Sequence, residues 1–237
     1  MDLGLEGKVA LVTAASKGLG RASAQALVDD GAKVAINSRD PERLRATAGE
    51  LGGEVLALPA DVTEPDAPRR LVEATVERFG ALHILVGNAG GPPKARAVDV
   101  DDATLQASID ANLLTSVRLV REALPHLRAA GWGRICLIAS STVKQPIPDL
   151  ATSNTSRAGL WGWAKTAAQE LIDEGITLNL ACPGLHRTQR VEEAGLSGRM
   201  GDPADFGRVV AFLCSEPAGF ISGAALQVDG ASTLGLL

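Results

Sequence analysis

Short apolar runs rich in β-branched residues alternate with longer amphipathic stretches along the whole chain. A short apolar run without polar interruption is typical of a strand that is buried on both faces of a sheet. Seven such runs predict seven strands, at residues 9–13, 33–37, 54–60, 83–87, 134–140, 176–182 and 225–228.

The stretches between these runs have helical periodicity and predict helices near 18–30, 41–51, 65–79, 101–129, 151–174 and 203–214. Several begin at Asp, Ser or Pro and end at Gly, residues that favour the two ends of a helix. Alternation of this kind requires right-handed crossovers between parallel strands, with helices on both faces. A chain of 237 residues matches one large core better than two small ones. We therefore expect a single-domain α/β fold, a Rossmann-like doubly wound sheet of seven mainly parallel strands.

The composition narrows the possible partners. Hydrophobic residues make up 46% of the chain and charged residues 22%, and the formal net charge is −5. Because nucleic-acid-binding modules carry a basic surplus on one face, we expect no nucleic-acid partner. The amino terminus lacks the basic region of a secretory signal, and no apolar run is long enough to span a bilayer. We expect a cytoplasmic protein that does not insert into membranes.

Cysteine and histidine are few and scattered. They are Cys136, Cys182 and Cys214, with His83, His126 and His186. There is no CxxC pair and no HxxxH pair, so neither a disulfide framework nor a metal site is expected. Two of the cysteines fall in strand-like runs, where a buried free thiol is common and fits a reducing compartment.

The first loop that follows a strand spans residues 13–20 and reads TAASKGLG. Gly18 and Gly20 allow a tight turn and a close approach of the backbone to a pyrophosphate, whose charge is stabilised by the amides of the following helix. Taken alone, the segment also fits an ordinary strand-to-helix turn.

Further motifs follow the later strands in a fixed order. They are Asp61-Val62, Gly87-Asn88-Ala89-Gly90, Asn112, Ser140, Pro183-Gly184-Leu185-His186-Arg187-Thr188, Phe220-Ile221-Ser222-Gly223 and Leu226-Gln227-Val228-Asp229-Gly230. Together with the first loop, this series resembles the short-chain dehydrogenase/reductase family, and specifically its β-ketoacyl-carrier-protein-reductase-like branch. The resemblance covers nearly the whole chain and implies one dinucleotide-binding and catalytic domain over residues 1–237.

The resemblance implies an oxidoreductase that moves hydride between a nicotinamide cofactor and a small carbonyl or alcohol substrate. It gives active-site roles to Asn112 and Ser140 and a role in holding the nicotinamide carboxamide to Thr188. The expected cofactor contacts are Thr13, Ala14, Ser16, Lys17, Gly18, Leu19, Gly20, Ser38, Arg39, Asp61, Val62, Asn88, Ala89, Gly90, Arg157, Pro183, Gly184 and Thr188. The family also pairs long helices and its last strand between subunits, which implies a homotetramer. Trp161 and Trp163 are expected to pack at such an interface or in the core.

The charges near the second strand predict a preference for NADP(H) over NAD(H). Residues 37–39 read Asn-Ser-Arg, so no acidic side chain is present to bind a ribose 2′-hydroxyl. Arg39 and Lys17 can instead neutralise a 2′-phosphate. The alternative is that both are ordinary surface charges.

The sequence departs from the family at two places. Ala14 replaces the first glycine of the loop, at a cost of about 1 kcal/mol if that position needs a positive φ. The family's YxxxK pair is also missing, because Ser153 and Arg157 fall at its two positions and the chain has no tyrosine. Ser153 is shorter and far less acidic than a phenol, and Arg157 keeps the positive charge but does not relay a proton.

A substitute proton donor is therefore sought on nearby loops. Lys144, four residues after Ser140, is the first candidate, and His186 is the second; both also fit plain surface charges. Arg187 and Arg190 are expected either to bind an anionic part of the substrate or to form a solvated lid with the glutamates that follow them. Two function classes remain open, an oxidoreductase with an atypical active site and an NADP(H)-binding pseudoenzyme that acts as a sensor or structural subunit.

Overall fold

The computed structural model describes residues 1–235 and contains the seven predicted strands in one sheet. The strands are β1 (Val9–Val12), β2 (Lys33–Ser38), β3 (Val55–Pro59), β4 (Ile84–Gly87), β5 (Gly133–Ile138), β6 (Ile176–Pro183) and β7 (Ala225–Val228). Their order is β3-β2-β1-β4-β5-β6-β7, and every neighbouring pair is parallel. The predicted fold class is confirmed.

Within residues 1–235, eight α-helices surround the sheet. They are α1 (Gly18–Asp29), α2 (Pro41–Leu51), α3 (Ala67–Phe79), α4 (Asp102–Ile109), α5 (Thr115–Ala129), α6 (Ala151–Leu171), α7 (Gln189–Glu193) and α8 (Pro203–Leu213). One face of the sheet packs in a hydrophobic core with α3, α5 and α6, and the other packs with α1, α2 and α8. The sheet is therefore covered on both faces, as its almost fully apolar central strands require.

The strand order reverses between β1 and β4, which are neighbours in the sheet although two strands separate them in sequence. The chain leaves β1 toward one edge of the sheet and leaves β4 toward the other. At such a reversal the two loops at the carboxyl ends separate and leave a crevice, where α/β proteins bind their ligands. The loops after β1 and β4 are therefore the first place to look for a site.

The prediction of one continuous α-helix over 101–129 is wrong, because the helix is interrupted in its middle. A π-helical segment, Asp110–Leu114, separates α4 from α5, and it contains the buried side chain of Asn112. A π turn holds one residue more than an α turn, so it changes which face the following side chains present. The short helix α7 and a 3₁₀ turn at Ser141–Val143 were also not predicted, because neither has enough length for a periodic pattern.

All three cysteines are buried free thiols; burial was predicted for the two in strand-like runs, Cys136 and Cys182. Within residues 1–235, no helix is long and apolar enough to cross a bilayer. Among the described residues, no three His, Cys, Asp or Glu side chains are grouped so that they could hold a metal ion.

His83 links the starts of two central strands. Its Nδ1 accepts a hydrogen bond of 3.0 Å from the backbone N–H of Val9, so the ring must be unprotonated at that nitrogen. Desolvation, with a smaller contribution from the positive charge of Lys8, lowers the pKa of His83. The folded protein therefore favours the neutral ring.

This geometry predicts a fall in stability in mild acid. The unfolded chain binds the proton near the ordinary histidine pKa of about 6.5, and the folded chain binds it only at lower pH. The contribution of His83 is complete above about pH 6.5 and is lost as the pH falls through the folded-state pKa. The free energy of unfolding in urea should fall between about pH 7.5 and about pH 5, and it should fall less in His83→Gln than in the wild type. His126→Gln is the control and should keep the wild-type pH profile; identical profiles for all three proteins would contradict the assignment.

Candidate active site

The glycine-rich loop joins β1 directly to helix α1. Lys17 is the N-cap residue, and no side chain caps the first turn of the helix. Gly18 has a φ of +60°, and a Cβ on Gly20 would collide with the carbonyl oxygen of Ala14. Glycine at both positions is therefore required by the backbone, and no side chain caps the first-turn amides of α1, an arrangement that is typical of anion-binding turns.

Ala14 adopts a φ of +48°, in the left-handed region that disfavours residues with a Cβ. Ala14 stands where the family's loop has its first glycine, and the backbone there has the conformation that glycine favours. The loop thus keeps its shape in spite of the alanine, at a local cost of about 1 kcal/mol.

The loops after β1 and β4 are tied together by side chains. The buried Thr13 hydroxyl donates to the carbonyl of Asn88 (2.7 Å) and accepts from the N–H of Asn88 (2.8 Å). The Asn88 amide in turn donates to the carbonyl of Ala14 at 3.3 Å. Thr13 and Asn88 thus hold the two sides of the crevice in position, with Ala89 and Gly90 following at the partly open edge.

A second set of hydrogen bonds connects the end of β2 to the neighbouring strand and to the glycine-rich loop. The side chain of Asn37 donates to the carbonyls of Leu58 and Ala60, and its backbone carbonyl accepts from Ala15. The carbonyl of Ser16 accepts from Thr47 on α2 at 3.1 Å. Asn37 and Thr47 were not predicted as supports of the loop, because their partners become neighbours only in the folded sheet, where β1, β2 and β3 pair.

At the outer end of the crevice, Ser38 is nearly buried and Arg39 extends into solvent, with 80% of its side chain exposed. The Arg39 guanidinium lies 4.0 Å from the carboxylate of Asp61. Hydrogen bonds from Thr63 lower the pKa of Asp61, with a smaller contribution from Arg39. Val62, beside it, points into the core. This end of the crevice thus holds one exposed cation, Arg39, and one carboxylate, Asp61.

The loop after β6 faces the glycine-rich loop. Gly18 lies against the Thr188 side chain, since a Cβ there would be 3.7 Å from the threonine methyl group. Lys17 Nζ donates to the Gln189 side chain at 3.4 Å. Gly184 passes so close to the end of β7 that a Cβ would lie 2.8 Å from the Cα of Asp229. The expected contacts in segment 183–188 are therefore brought to the same crevice as those in segment 13–20.

Three hydroxyl side chains lie at the neighbouring strand end. Ser140 follows β5, and its Oγ accepts from the backbone N–H of Thr142 at 3.2 Å. The hydroxyls of Thr142 and Ser153 are 3.3 Å apart and buried. The structure thus pairs Ser153 with Thr142, a residue that the sequence analysis did not identify because the 3₁₀ turn was not predicted.

Arg157 lies one helical turn after Ser153 on α6, and its side chain is 5% exposed. Its Nη1 donates to the carbonyl of Ile138 at 2.9 Å, and its Nε is buried without a partner among residues 1–235. Burial lowers the pKa of Arg157 to about 10, and the charge of Arg190 acts in the same direction. At neutral pH the guanidinium remains a cation.

Asn112 lies on the π-helical segment that packs against α6. Its side-chain N–H donates to the carbonyl of Ser108, and its Oδ1 is buried without a partner among residues 1–235. Gly159 on α6 permits the close packing, because a Cβ there would lie 2.8 Å from the Leu113 side chain. π-helical segments are frequent at functional sites, which fits the expected role of Asn112.

Lys144 follows the 3₁₀ turn, and its ammonium lies 5.7 Å from the centroid of the Trp161 ring. Burial raises the pKa of the neighbouring Cys182 thiol to about 12, against the opposing effects of the Ser140 backbone N–H and of the positive charges on Lys144 and Arg157. Lys144 is therefore close to the ends of β5 and β6. Trp161 and Trp163 pack against the core, as expected.

Two expectations about the loop after β6 need correction. His186, the second candidate proton donor, is 4% exposed, packs edge-on against Phe206 and has its Nδ1 3.2 Å from the Gly184 carbonyl. Arg187 pairs with Asp202 at 3.0 Å, and not with the glutamates of α7. The loop folds inward onto α8, which local sequence does not indicate.

The strained backbone at Ala14 gives a stability prediction. Ala14→Gly should raise the free energy of unfolding by about 0.5–1 kcal/mol, because glycine adopts this φ without strain. Ala15→Gly is the matched control: Ala15 is fully buried and lacks a positive φ, so its replacement should lower stability. Both values can be measured by chemical unfolding. Equal destabilisation by the two substitutions would contradict this interpretation.

Comparison with known proteins supports the resemblance drawn from the motifs. Residues 8–197 match the family model described as short chain dehydrogenase. Dehydrogenase/reductase SDR family member 4 of Sus scrofa is 32% identical over 95% of this chain and 87% of its own length. The 3-oxoacyl-(acyl-carrier-protein) reductase of Escherichia coli is 32% identical over 96% of this chain and 98% of its own length.

A solved structure gives the same result. L-sorbose reductase from Gluconobacter frateurii, in complex with NADPH and L-sorbose, superposes with a TM-score of 0.91 at 32% identity. The match covers 97% of this chain and 98% of that one. Sequence and fold thus agree over almost the full length, and the chain belongs to the short-chain dehydrogenase family.

Proposed function

We propose that this protein is an NADP(H)-dependent oxidoreductase that interconverts a small carbonyl compound and its alcohol. In the reducing direction, a hydride moves from the nicotinamide to the carbonyl carbon and a proton moves to the oxygen, which yields the alcohol and NADP⁺. One observation carries the proposal: the loops after β1, β4 and β6 meet in one crevice, and Ser140 and Arg157 lie at the adjacent end of β5. The sorbose reductase that shares this fold binds NADPH.

The crevice would hold the cofactor through its backbone and short side chains. The first-turn amides of α1 and the loop containing Gly18 and Gly20 would bind the pyrophosphate. Asp61 and Val62 would border the adenine, and Thr188 would hold the carboxamide. Pro183 and Gly184 shape the loop that carries Thr188. Arg157, at the buried end, would bind ribose hydroxyls through donors that its one carbonyl partner leaves free.

The proposed active site is atypical, with Ser153 and Arg157 in place of the family's tyrosine and lysine. No tyrosine exists elsewhere in the chain to substitute. Ser153 is engaged with Thr142 and is too weak an acid to protonate an alkoxide. Ser140 and Asn112 would keep their family roles, with the Ser140 hydroxyl donating to the substrate oxygen.

Lys144 is the proposed proton donor. It lies on the turn that follows Ser140, and its ammonium is near the ends of β5 and β6. Since the Cys182 thiol beside it stays neutral at its raised pKa of about 12, no thiolate competes for the proton. An ammonium at this place can protonate the developing alkoxide or stabilise its charge.

A pseudoenzyme remains the second candidate, favoured by the absence of any tyrosine and by the buried Ser153–Thr142 pair. In that case NADP(H) would stabilise one conformation of a sensor or structural subunit. Two measurements distinguish the oxidoreductase from the pseudoenzyme. The first follows NADPH oxidation with a panel of carbonyl compounds at high protein concentration, and the second titrates the protein with the cofactor. NADPH binding without oxidation of NADPH by any compound would favour the pseudoenzyme.

We also propose that residues 1–237 act as a single dinucleotide-binding and catalytic domain and assemble as a cytoplasmic homotetramer. The surface near β7 supports the assembly, because Phe220 is 97% exposed and Leu226 is 40% exposed there. The apolar carboxyl-terminal segment 231–237 and the helix that carries Trp161 supply further surface for this interface, and residues 236 and 237 of that segment lie outside the described residues. Covering apolar side chains on an edge strand is a common reason for subunit pairing.

Arg39 should determine the cofactor preference. Arg39→Ala should raise the dissociation constant for NADPH about tenfold and leave that for NADH unchanged, because the charged hydrogen bond reaches only a 2′-phosphate. Arg43→Ala is the control, since Arg43 is exposed nearby but pairs with Asp40. Fluorescence titrations give all constants. Equal affinity of the wild type for both cofactors would refute the preference.

Lys144 should matter more than Ser153 for turnover. Lys144→Met should lower kcat about tenfold or more without weakening NADPH binding, as expected for a contact made mainly in the transition state. Ser153→Ala should change kcat little. Steady-state rates and cofactor titrations on both variants test this. The assignment fails if Lys144→Met is silent and Ser153→Ala abolishes turnover.

A further inference from the structure

Lys144, the proposed proton donor, is a half-buried lysine at the end of the 3₁₀ turn that follows β5. Its ammonium forms no salt bridge with any carboxylate in residues 1–235. Its backbone N–H donates to the carbonyl of Ser141 at 3.1 Å, so the start of the side chain is fixed. The rest is a flexible four-carbon stem. Because a proton donor must stay within reach of the oxygen that it protonates, the ammonium needs a partner that limits this freedom.

The ring of Trp161 faces this ammonium. Lys144 Nζ lies 5.7 Å from the ring centroid, and a cation within about 6 Å of an aromatic face is attracted by the ring. Trp161 follows Arg157 by one turn of α6 and Ser153 by about two. Since long side chains of a helix lean toward its N-terminus, the Trp161 ring lies over the preceding turn, on the side of Ser153. The ammonium is thereby kept toward the end of α6 where the proposed active site lies.

Packing, and not a hydrogen bond, holds the Trp161 ring. The ring packs against the hydrophobic core, and its Nε1 is buried without a partner among residues 1–235. Trp163 lies on the same helix and packs against the same core. Among the described residues, no lysine or arginine lies over the Trp163 ring, whereas Lys144 lies over that of Trp161. The two tryptophans therefore share a structural role, and Trp161 has in addition a cation to hold.

We propose that Trp161 is a positioning residue, whose ring holds the Lys144 ammonium in place for proton transfer to the substrate. Trp161 itself touches neither substrate nor cofactor. Without the ring, the ammonium is spread over other side-chain conformations, and a smaller fraction of the bound complexes has the donor in reach. This inference rests on the proposed oxidoreductase function. There, an N–H bond of Lys144 breaks as the O–H bond of the alcohol forms, and the neutral amine regains a proton from water.

Steady-state kinetics on a set of variants measure the effect on turnover. Trp161→Leu should lower kcat about tenfold and leave the KM of the carbonyl substrate and the dissociation constant of NADPH within about twofold. Trp161→Phe keeps an aromatic face and should stay within about threefold of the wild-type kcat. Trp163→Leu, the matched control for lost core packing, should leave kcat within about twofold. In a Lys144→Met background, Trp161→Leu should have no further effect on kcat, because the ring acts through Lys144.

NMR spectra measure the contact itself, without turnover. In protein whose lysines carry ¹³C-methyl groups from reductive methylation, the Lys144 signal is the one that Lys144→Met removes. The ring current of Trp161 should shift this signal upfield. The signal should move downfield in Trp161→Leu, and by a smaller amount in Trp161→Phe, which retains an aromatic ring in the core. The signal of Lys8, whose ammonium lies 4.3 Å from the centroid of the Trp132 ring, should move in neither variant.

Three results would overturn the proposal: a Lys144 signal that stays in place in both Trp161 variants, an equal loss of kcat in Trp161→Leu and Trp163→Leu, or a further loss of kcat when Trp161→Leu is added to Lys144→Met. If the wild type oxidises NADPH with no carbonyl compound, the proposed function fails instead. The spectra then still decide whether Trp161 holds Lys144, since a downfield shift supports the contact and an unchanged signal overturns it. Should Trp161→Leu not fold, the spectra of Trp161→Phe decide in the same way.

Discussion

The hydrogen bond from the buried Arg157 guanidinium to the carbonyl of Ile138 fixes where helix α6 meets strand β5. A carbonyl at the end of a parallel strand has no further strand partner, and a buried carbonyl needs a donor. Arg157 supplies that donor from one side. Because Ser153 lies one turn earlier on the same helix, this contact also sets the position of its hydroxyl against Thr142. The arrangement around Ser140 therefore depends on one buried cation.

In the proposed active site, the same contact would allow Arg157 to take the place of the family's lysine without loss of the local fold. Either side chain would place a cation at the end of β5, but arginine carries five donors and keeps its charge when buried. What changes is the chemistry. Losing a general acid typically costs roughly a hundredfold to ten-thousandfold in rate, whereas orientation and charge stabilisation are separate contributions that survive. The proposed reaction is therefore slow, unless Lys144 replaces the lost acid.

The fold was predictable because its signals are local. The central strands are mostly apolar, and helix ends such as the Asp40 cap of α2 follow common rules. The π-helical segment at Asn112 was not predictable, since one inserted residue leaves the apolar pattern almost unchanged. The roles of Thr142 and His186 depend on which elements pack together, and no spacing in the chain encodes that. The incomplete satisfaction of Arg157 is likewise a property of the folded state alone.

The proposed oxidoreductase function depends most directly on hydride transfer at this site. NADPH deuterated at C4 of the nicotinamide, incubated with excess protein and either acetoacetate or its methyl ester, tests for this transfer in a single turnover. Mass spectrometry of the alcohol product measures the transfer. Hydride transfer at this site predicts deuterium in the alcohol product. NADPH that binds tightly while both ketones remain unreduced would contradict it.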